Sequence, residues 1–316
     1  MSSVRGLKIR TYAPEDSKRW NDFVAKSRNG TFLHNRGFME YHSDRFNDAS
    51  LMVERDGKLL AIMPANLDND TLFSHGGLTY GGIIVGRSMG TALMCDVVDA
   101  ILTDLSRMGI LRLVYKPAPH FYHNAPTEED IYALVQAGGT LVQCDASAAI
   151  ALKRPLTASQ SRRQGAKRAA AAGITVRESR DWTAFWGVLE IVLSSRHEVQ
   201  PTHSLTEIRL LAERFPENIR LFGAYQKDEL LAGVVVFDCG RTVHVQYMAN
   251  HPDKRMFSGL DLILLSLIGE TFANRDWFDF GISTTEGGAK LNSGLAQQKE
   301  MFGARCVLYN RYEVSL

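Results

Sequence analysis

The chain has 316 residues, 45% of them hydrophobic and 22% charged, with a formal net charge of +1. That length holds two ordinary domains with cores of their own, and the balance is that of a soluble globular protein. Near-neutral charge supplies no general grip on DNA or RNA, no apolar run reaches the ~20 residues of a membrane span, and MSSVRGLKIRTY lacks a hydrophobic signal core.

The expected compartment is therefore the cytoplasm. Cys95, Cys144, Cys239 and Cys306 lie far apart with no CxxC pair, and read as reduced, buried thiols.

In chain order the pattern predicts a strand near 7–12 and helices near 16–27 and 36–46. LMVERDGKLLAIMPANL (51–67) reads as strand, polar turn at Asp56-Gly57, strand. SHGGLTYGGIIVG (74–86) follows, with Gly76-Gly77 as a bend and Gly81-Gly82 as a bulge or a close backbone approach. A polar start at Arg87-Ser88 leads into the helix TALMCDVVDAILTDLSRMG and the strand LRLVY. A helix near 127–137 and a strand near 141–151 complete the first half. The stretch from Leu152 to Gly173 is the expected hinge, its alanine-rich helix spanning 157–172. Beyond it come a strand near 174–178, helices near 182–197 and 204–214, and a hairpin in FGAYQKDELLAGVVVFD. The strand VHVQYMA, the loop NHPDKRMF, the helix SGLDLILLSLIGETFANR, the strand WFDFG and a strand near 305–313 end the order.

The halves repeat one plan. Both hairpins resume on Leu-Leu-Ala, and each is followed by strand, loop, helix and strand. From Leu51 to Phe222 is 171 residues, from Ser88 to Ser258 is 170, and from Leu111 to Trp277 is 166. A near-constant offset predicts two copies of one unit in a mixed α/β (α+β) chain, with domains at 1–152 and 153–316.

Three stretches carry candidate chemistry. In NHPDKRMFSG, Ser258 and Asp261 form an S-x-x-D capping box, which starts a helix at Gly259. The amides of a helix N-terminus suit a pyrophosphate, with Lys254 and Arg255 beside it; an ordinary capped helix fits the same residues. In SQSRRQGAKRAAAAG, Arg163 and Lys167 share a face at i,i+4 that suits a phosphorylated or carboxylated substrate or simply solvent. In QQKEMFGAR, a K-x-x-F-G turn aims Lys299 inward while Phe302 anchors it. The nine histidines show no HxH or HExxH, so no metal is expected, and GxSxG, Walker and GxGxxG-helix patterns are missing.

Together these residues resemble the tandem GNAT fold and, more narrowly, its FemAB-like branch. The stretches that carry the likeness are FLHNRGFMEYH, SHGGLTYGG, SRRQGAKRAAAAGI, WFDFGIS and KEMFGAR, in that order over nearly the whole chain. The resemblance implies two GNAT-like domains, each a twisted mixed sheet flanked by helices. It also implies transfer of an acyl or aminoacyl group to an amine or hydroxyl of a cell-wall or surface-polysaccharide precursor. Arg163, Lys167 and Lys299 would line the acceptor and transfer site.

The expected activity is acyl transfer from acetyl-CoA or another acyl-CoA, by direct attack without a covalent enzyme intermediate. Lys254, Arg255, Ser258 and Gly259 would hold the donor; Lys299, Tyr247 and His34 would serve transfer; Tyr80, His75, Arg163 and Lys167 would contact the acceptor. The first half, with only Arg87-Ser88 at the matching loop, is expected to be acceptor-cleft wall and not a donor site. Arg255-Met-Phe-Ser-Gly259 departs from the R/Q-x-x-G-x-G/A pattern of acetyl-CoA users. Aminoacyl-tRNA-dependent transfer is the alternative, although near-neutral charge and the lack of a helical-hairpin insertion run against tRNA. A non-catalytic binding module is the third reading, and a homodimer through sheet edges is compatible with all three.

Overall fold

The computed structural model describes residues 6–197 and 200–316. They divide into two compact units, one of residues up to 145 with 286–289 and 308–316, the other of 146–285 with 290–307.

In chain order the first unit holds β1 (Leu7–Thr11), α1 (Ser17–Lys26), α2 (Arg36–Met39), β2 (Asn47–Asp48), β3 (Leu51–Arg55), β4 (Lys58–Met63), β5 (Asn66–Asp68), β6 (Thr71–Phe73) and β7 (Ile84–Val85). Then come α3 (Thr91–Arg107), β8 (Arg112–Tyr115), α4 (Glu129–Gln136) and the start of β9 (Thr140–Ala151). The helix expected over 36–46 is a single α turn followed by a 3-10 turn at Glu40–His42. The segment serves a buried arginine instead: Arg36 is 3% exposed, pairs with Glu40 and Asp48, and lies 3.7 Å over the Tyr12 ring. The core joins β3 and β4 to the inner face of α3 through Val53, Ala61, Met63, Val97, Val98 and Ile101.

The second unit holds α5 (Gln160–Ala171), β10 (Thr175–Ser179), α6 (Trp182–His197), α7 (Leu205–Arg214), β11 (Ile219–Gln226), β12 (Glu229–Asp238), β13 (Thr242–Asn250), α8 (Gly259–Ser266) and β14 (Trp277–Ile282). β15 (Thr284–Thr285), β16 (Lys290–Leu291), α9 (Ser293–Glu300) and the start of β17 (Arg305–Ser315) follow. α8 is apolar on most sides, and its Leu260, Ile263 and Leu264 pack on Val234, Val236 and Phe278. Burying each such side chain is worth about 1.5–3 kcal/mol, which holds α8 against the sheet.

The repeat is visible in the topology. In the first unit the order β1-β3-β4-β7 is antiparallel throughout; in the second, β10-β11-β12-β13 is the same. α3 and β8 follow the first set as α8 and β14 follow the second. The hairpin turns agree as well, with left-handed φ at Asp56 (50°) and Lys227 (54°). The four cysteines are free, but three are half-buried and Cys306 is exposed, because β17 turns that residue outward.

In the glycine-rich stretch, a Cβ on Gly81 would sit far inside contact with the Ser74 carbonyl oxygen, and Gly82 has φ +82°. Close backbone approach, not phosphate binding, is what these glycines permit.

Candidate functional site

The site is set by how two strands of the second unit part. β13 and β14 run parallel and pair only from Thr242↔Trp277 to His244↔Asp279. β13 continues to Asn250 and β14 to Ile282 without further pairing to each other. A bulge against β12 helps turn β13 away, since Val236 faces Val245 while Val235 faces Tyr247, leaving Gln246 as the extra residue. β14 bends at Gly281, whose φ of 75° falls where its register against β9 breaks.

A cleft of about 450 Å³ opens beyond the fork. Met248, Ala249 and Asn250 of β13 form one side, with Arg255 and Leu260 at the start of α8. Arg162 of α5 and Leu295 and Gln298 of α9 face them. The Asn250 Oδ1 is buried with no hydrogen-bond partner among the described residues.

The loop before α8 is a 3-10 turn, Pro252–Phe257, and α8 begins at Gly259 as expected. The capping box does not form. Ser258 takes a left-handed φ of 55° and its side chain caps nothing. Asp261 is drawn away by Arg162, whose Nη1 donates to Oδ1 at 2.9 Å. Gly165 makes that meeting possible, because a Cβ there would crowd the Asp261 carboxylate. Gly259 is tight too, its Cβ position 3.2 Å from that of Ala224. Lys254 is held by Glu229 at 2.9 Å, whereas Arg255 is exposed and lines the cleft.

On α5 the anticipated pair, Arg163 and Lys167, lies on the exposed face, with Arg163 Nε donating to the Ala158 carbonyl. Arg162 is the arginine that reaches the cleft, its guanidinium 5.0 Å over the Phe302 ring. Lys299 does point inward. It is 2% exposed, and its Nζ donates to the carbonyls of Gly281 (2.8 Å) and Ile282 (2.6 Å), so it fixes the bent end of β14. Burial pulls its pKa from 10.5 down to about 8, against a smaller upward pull from Asp279.

Tyr247 is oriented by α7's approach: its hydroxyl meets the His203 backbone amide at 3.1 Å and Nδ1 at 2.7 Å. Burial raises its pKa. In the first unit, His34 and Tyr80 come together at 5.6 Å between ring centroids and both are buried, Tyr80 donating to Thr31. His75 belongs to a separate buried cluster with His42 and Phe46. Burial lowers the pKa of His34 to about 4 and that of His75 to about 3.

One group at the fork escaped the sequence reading. Asp279 is fully buried, accepts from Ser147 Oγ at 2.9 Å and the Gly281 amide at 3.0 Å, and lies 2.8 Å from His244 Nδ1. The signal available was the lone acidic residue in the middle of the apolar strand WFDFG, with His244 near the start of VHVQYMA.

This strand–loop–helix–strand with a parted parallel pair covers the stretch matched by the family model described as an acetyltransferase (GNAT) domain, residues 158–288. The match covers the α5-to-β15 part of the second unit. With that domain the chain is an acyltransferase. Its fold is FemAB-like: the crystal structure of FemX superposes with a TM-score of 0.71 at 12% identity, over 98% of this chain and 97% of that one. L-PGS from Bacillus licheniformis gives 0.61 at 14% identity over 95% and 90%. A tandem GNAT protein from the clavulanic acid biosynthesis pathway gives 0.51 at 12% over 98% of each. No curated protein sequence matches the chain. Among the described residues no helix is long and apolar enough to cross a membrane.

Proposed function

We propose that the second unit transfers an acyl group from an acyl-CoA to an amine or hydroxyl of a sugar or cell-envelope precursor. The observation that carries this reading is the fork between β13 and β14 opening into a cleft at the start of α8. Among the described residues β13 pairs with β14 no further than His244, which suits an extended pantetheine arm lying along the rest of that edge. From Asn250 to His244 is on the order of 20 Å at ~3.3 Å per residue, enough for that arm to run from the α8 end to the fork. Arg255 and the first amides of α8 suit the pyrophosphate. Gly259 lets α8 begin close against the sheet. Lys299 serves transfer by holding Gly281 and Ile282 in place.

The second reading is an aminoacyl-tRNA donor. It is favoured by the higher TM-scores of FemX and L-PGS over the tandem GNAT protein, and by a pyrophosphate loop wound as a 3-10 turn. Thermal shift decides between them: acetyl-CoA or a longer acyl-CoA raises Tm by mass action if the first reading holds. No shift with any CoA, together with retention of charged tRNA, selects the second. A chain that binds neither is a binding module.

A further inference from the structure

We infer that the first unit holds a site for an oxyanion, the phosphate or carboxylate of a small molecule, between the Lys116 ammonium and the Arg311 guanidinium. The site lies within the first unit and does not depend on which donor the second unit uses.

The glycine-rich stretch is what seats the lysine. Lys116 follows β8, and its amide donates to Ser74 Oγ at 2.7 Å while its carbonyl accepts from the Gly81 amide at 2.8 Å. Gly81 bridges Pro117, and a Cβ on Gly82 would crowd the Pro117 backbone at 3.1 Å. SHGGLTYGG is therefore fastened on Lys116 at both ends, and the lysine Nζ turns back to donate to the Leu78 carbonyl. An ammonium has more donors than that one carbonyl takes.

On the neighbouring strand stands a second cation. β17 runs antiparallel to β8 with Tyr312 opposite Tyr115, so the next step sets Arg311 opposite Lys116. Tyr115 is fully buried in the core, and alternation along the strands turns Lys116 and Arg311 to the other face. Both are half-buried. Burial pulls the Lys116 pKa from 10.5 down to about 8; Arg311 adds to the fall and Asp145 opposes it. Asp145 is already engaged by Gln143 Nε2 at 2.6 Å, and Glu313 lies opposite Val114, not Lys116. Among the described residues the Arg311 guanidinium has no hydrogen bond or ion pair. Like charges facing each other across two strands are destabilising, and a half-buried guanidinium without an acceptor adds to that cost. An oxyanion between them cancels the repulsion and accepts from both, the guanidinium offering its fork of N–H donors and the ammonium a point charge.

The test uses the full chain in Tris chloride, titrated with inorganic phosphate or acetate against sodium chloride at matched ionic strength. Wild type is expected to show a saturable rise in Tm with phosphate or acetate and none with chloride; the tighter of the two marks the ligand as phosphorylated or carboxylated. Arg311→Gln is expected to weaken that binding about tenfold or more. Because it relieves the repulsion, it should also leave Tm without added oxyanion unchanged or higher, whereas a merely structural arginine would lower it. Arg107→Gln, on an exposed stretch of α3, should change neither. No saturable rise in wild type, a rise that survives in Arg311→Gln, or an equal loss in Arg107→Gln overturns the inference. Arginine Nε–H NMR of wild type reports without any variant: the Arg311 resonance is expected to move as the tighter anion is added, and movement confined to other arginines overturns the assignment.

Discussion

Lys299→Met separates the charge of the buried ammonium from the space it fills. Lys299 is 2% exposed and its Nζ is committed to the Gly281 and Ile282 carbonyls. Its pKa falls from 10.5 to about 8, mainly through burial. At about 1.4 kcal/mol per unit, that drop corresponds to about 3 kcal/mol of folding free energy lost to holding the charged form inside. The cost is fully present below pH 8. Between pH 8 and 10.5 the folded chain releases this proton before the unfolded chain does, so the unfolded state binds more protons and stability rises with pH. Methionine has a similar length and no titration, but it leaves two carbonyls unpaired at about 1–3 kcal/mol each. At pH 7 gain and loss therefore partly offset, and the variant stays within about 3 kcal/mol of wild type. The sharper signature is the slope. Urea unfolding at pH 7, 8, 9 and 10 should show wild type gaining about 2–3 kcal/mol relative to Lys299→Met across the upper two units. Parallel curves from pH 8 to 10 would refute the reasoning and mean that the ammonium is not desolvated.

Arg162→Ala should destabilise the second unit by about 2 kcal/mol, below the 3–5 kcal/mol of a fully buried pair because Arg162 is 24% exposed. Burial raises the Asp261 pKa, so without Arg162 the carboxyl takes up a proton more readily and the loss should be smaller at acidic pH than at pH 7; losses that do not change with pH in urea melts count against that upward shift. His34 and His75 are buried neutral. Because their folded pKa values lie below the unfolded 6.5, Tm should decline as pH falls from 6.5 toward 4, less steeply in His34→Asn; a flat Tm over that span contradicts it. Gly81→Ala drives a methyl into the Ser74 carbonyl and should cost more than about 3 kcal/mol, read as loss of soluble folded chain or a large drop in urea midpoint. Arg255→Ala should raise the KM for acetyl-CoA about tenfold with kcat little changed; an unchanged KM removes Arg255 from the donor site.

What the sequence made legible was local or periodic. The Leu-Leu-Ala hairpins, the apolar run of α8 and the start of that helix at Gly259 rest on turn chemistry and on the spacing of neighbouring residues, and they formed where expected. What it hid depended on distant partners. Ser258 and Asp261 satisfy a capping pattern, yet Arg162, 99 residues away, offers the carboxylate a charged donor that outweighs one helical amide. The same helix shows the limit of charge counting, for Arg162 and Arg163 look alike in sequence and only the rotation of α5 sends one to the cleft and the other to solvent. His244 and Asp279 lie 35 residues apart in no motif, and only the register of β13 on β14 makes them neighbours.

The last strand has a consequence for how the chain is made. Residues 308–316 complete the first unit, where Tyr312–Ser315 pair with β8, while 290–307 complete the second. Neither unit is a continuous piece of polypeptide. During synthesis β8 must wait some two hundred residues for its neighbour on that side, so the first unit can be completed only once the second has been translated. Cutting the gene at residue 145 would yield no pair of independent domains, and a short C-terminal deletion should injure the N-terminal half first.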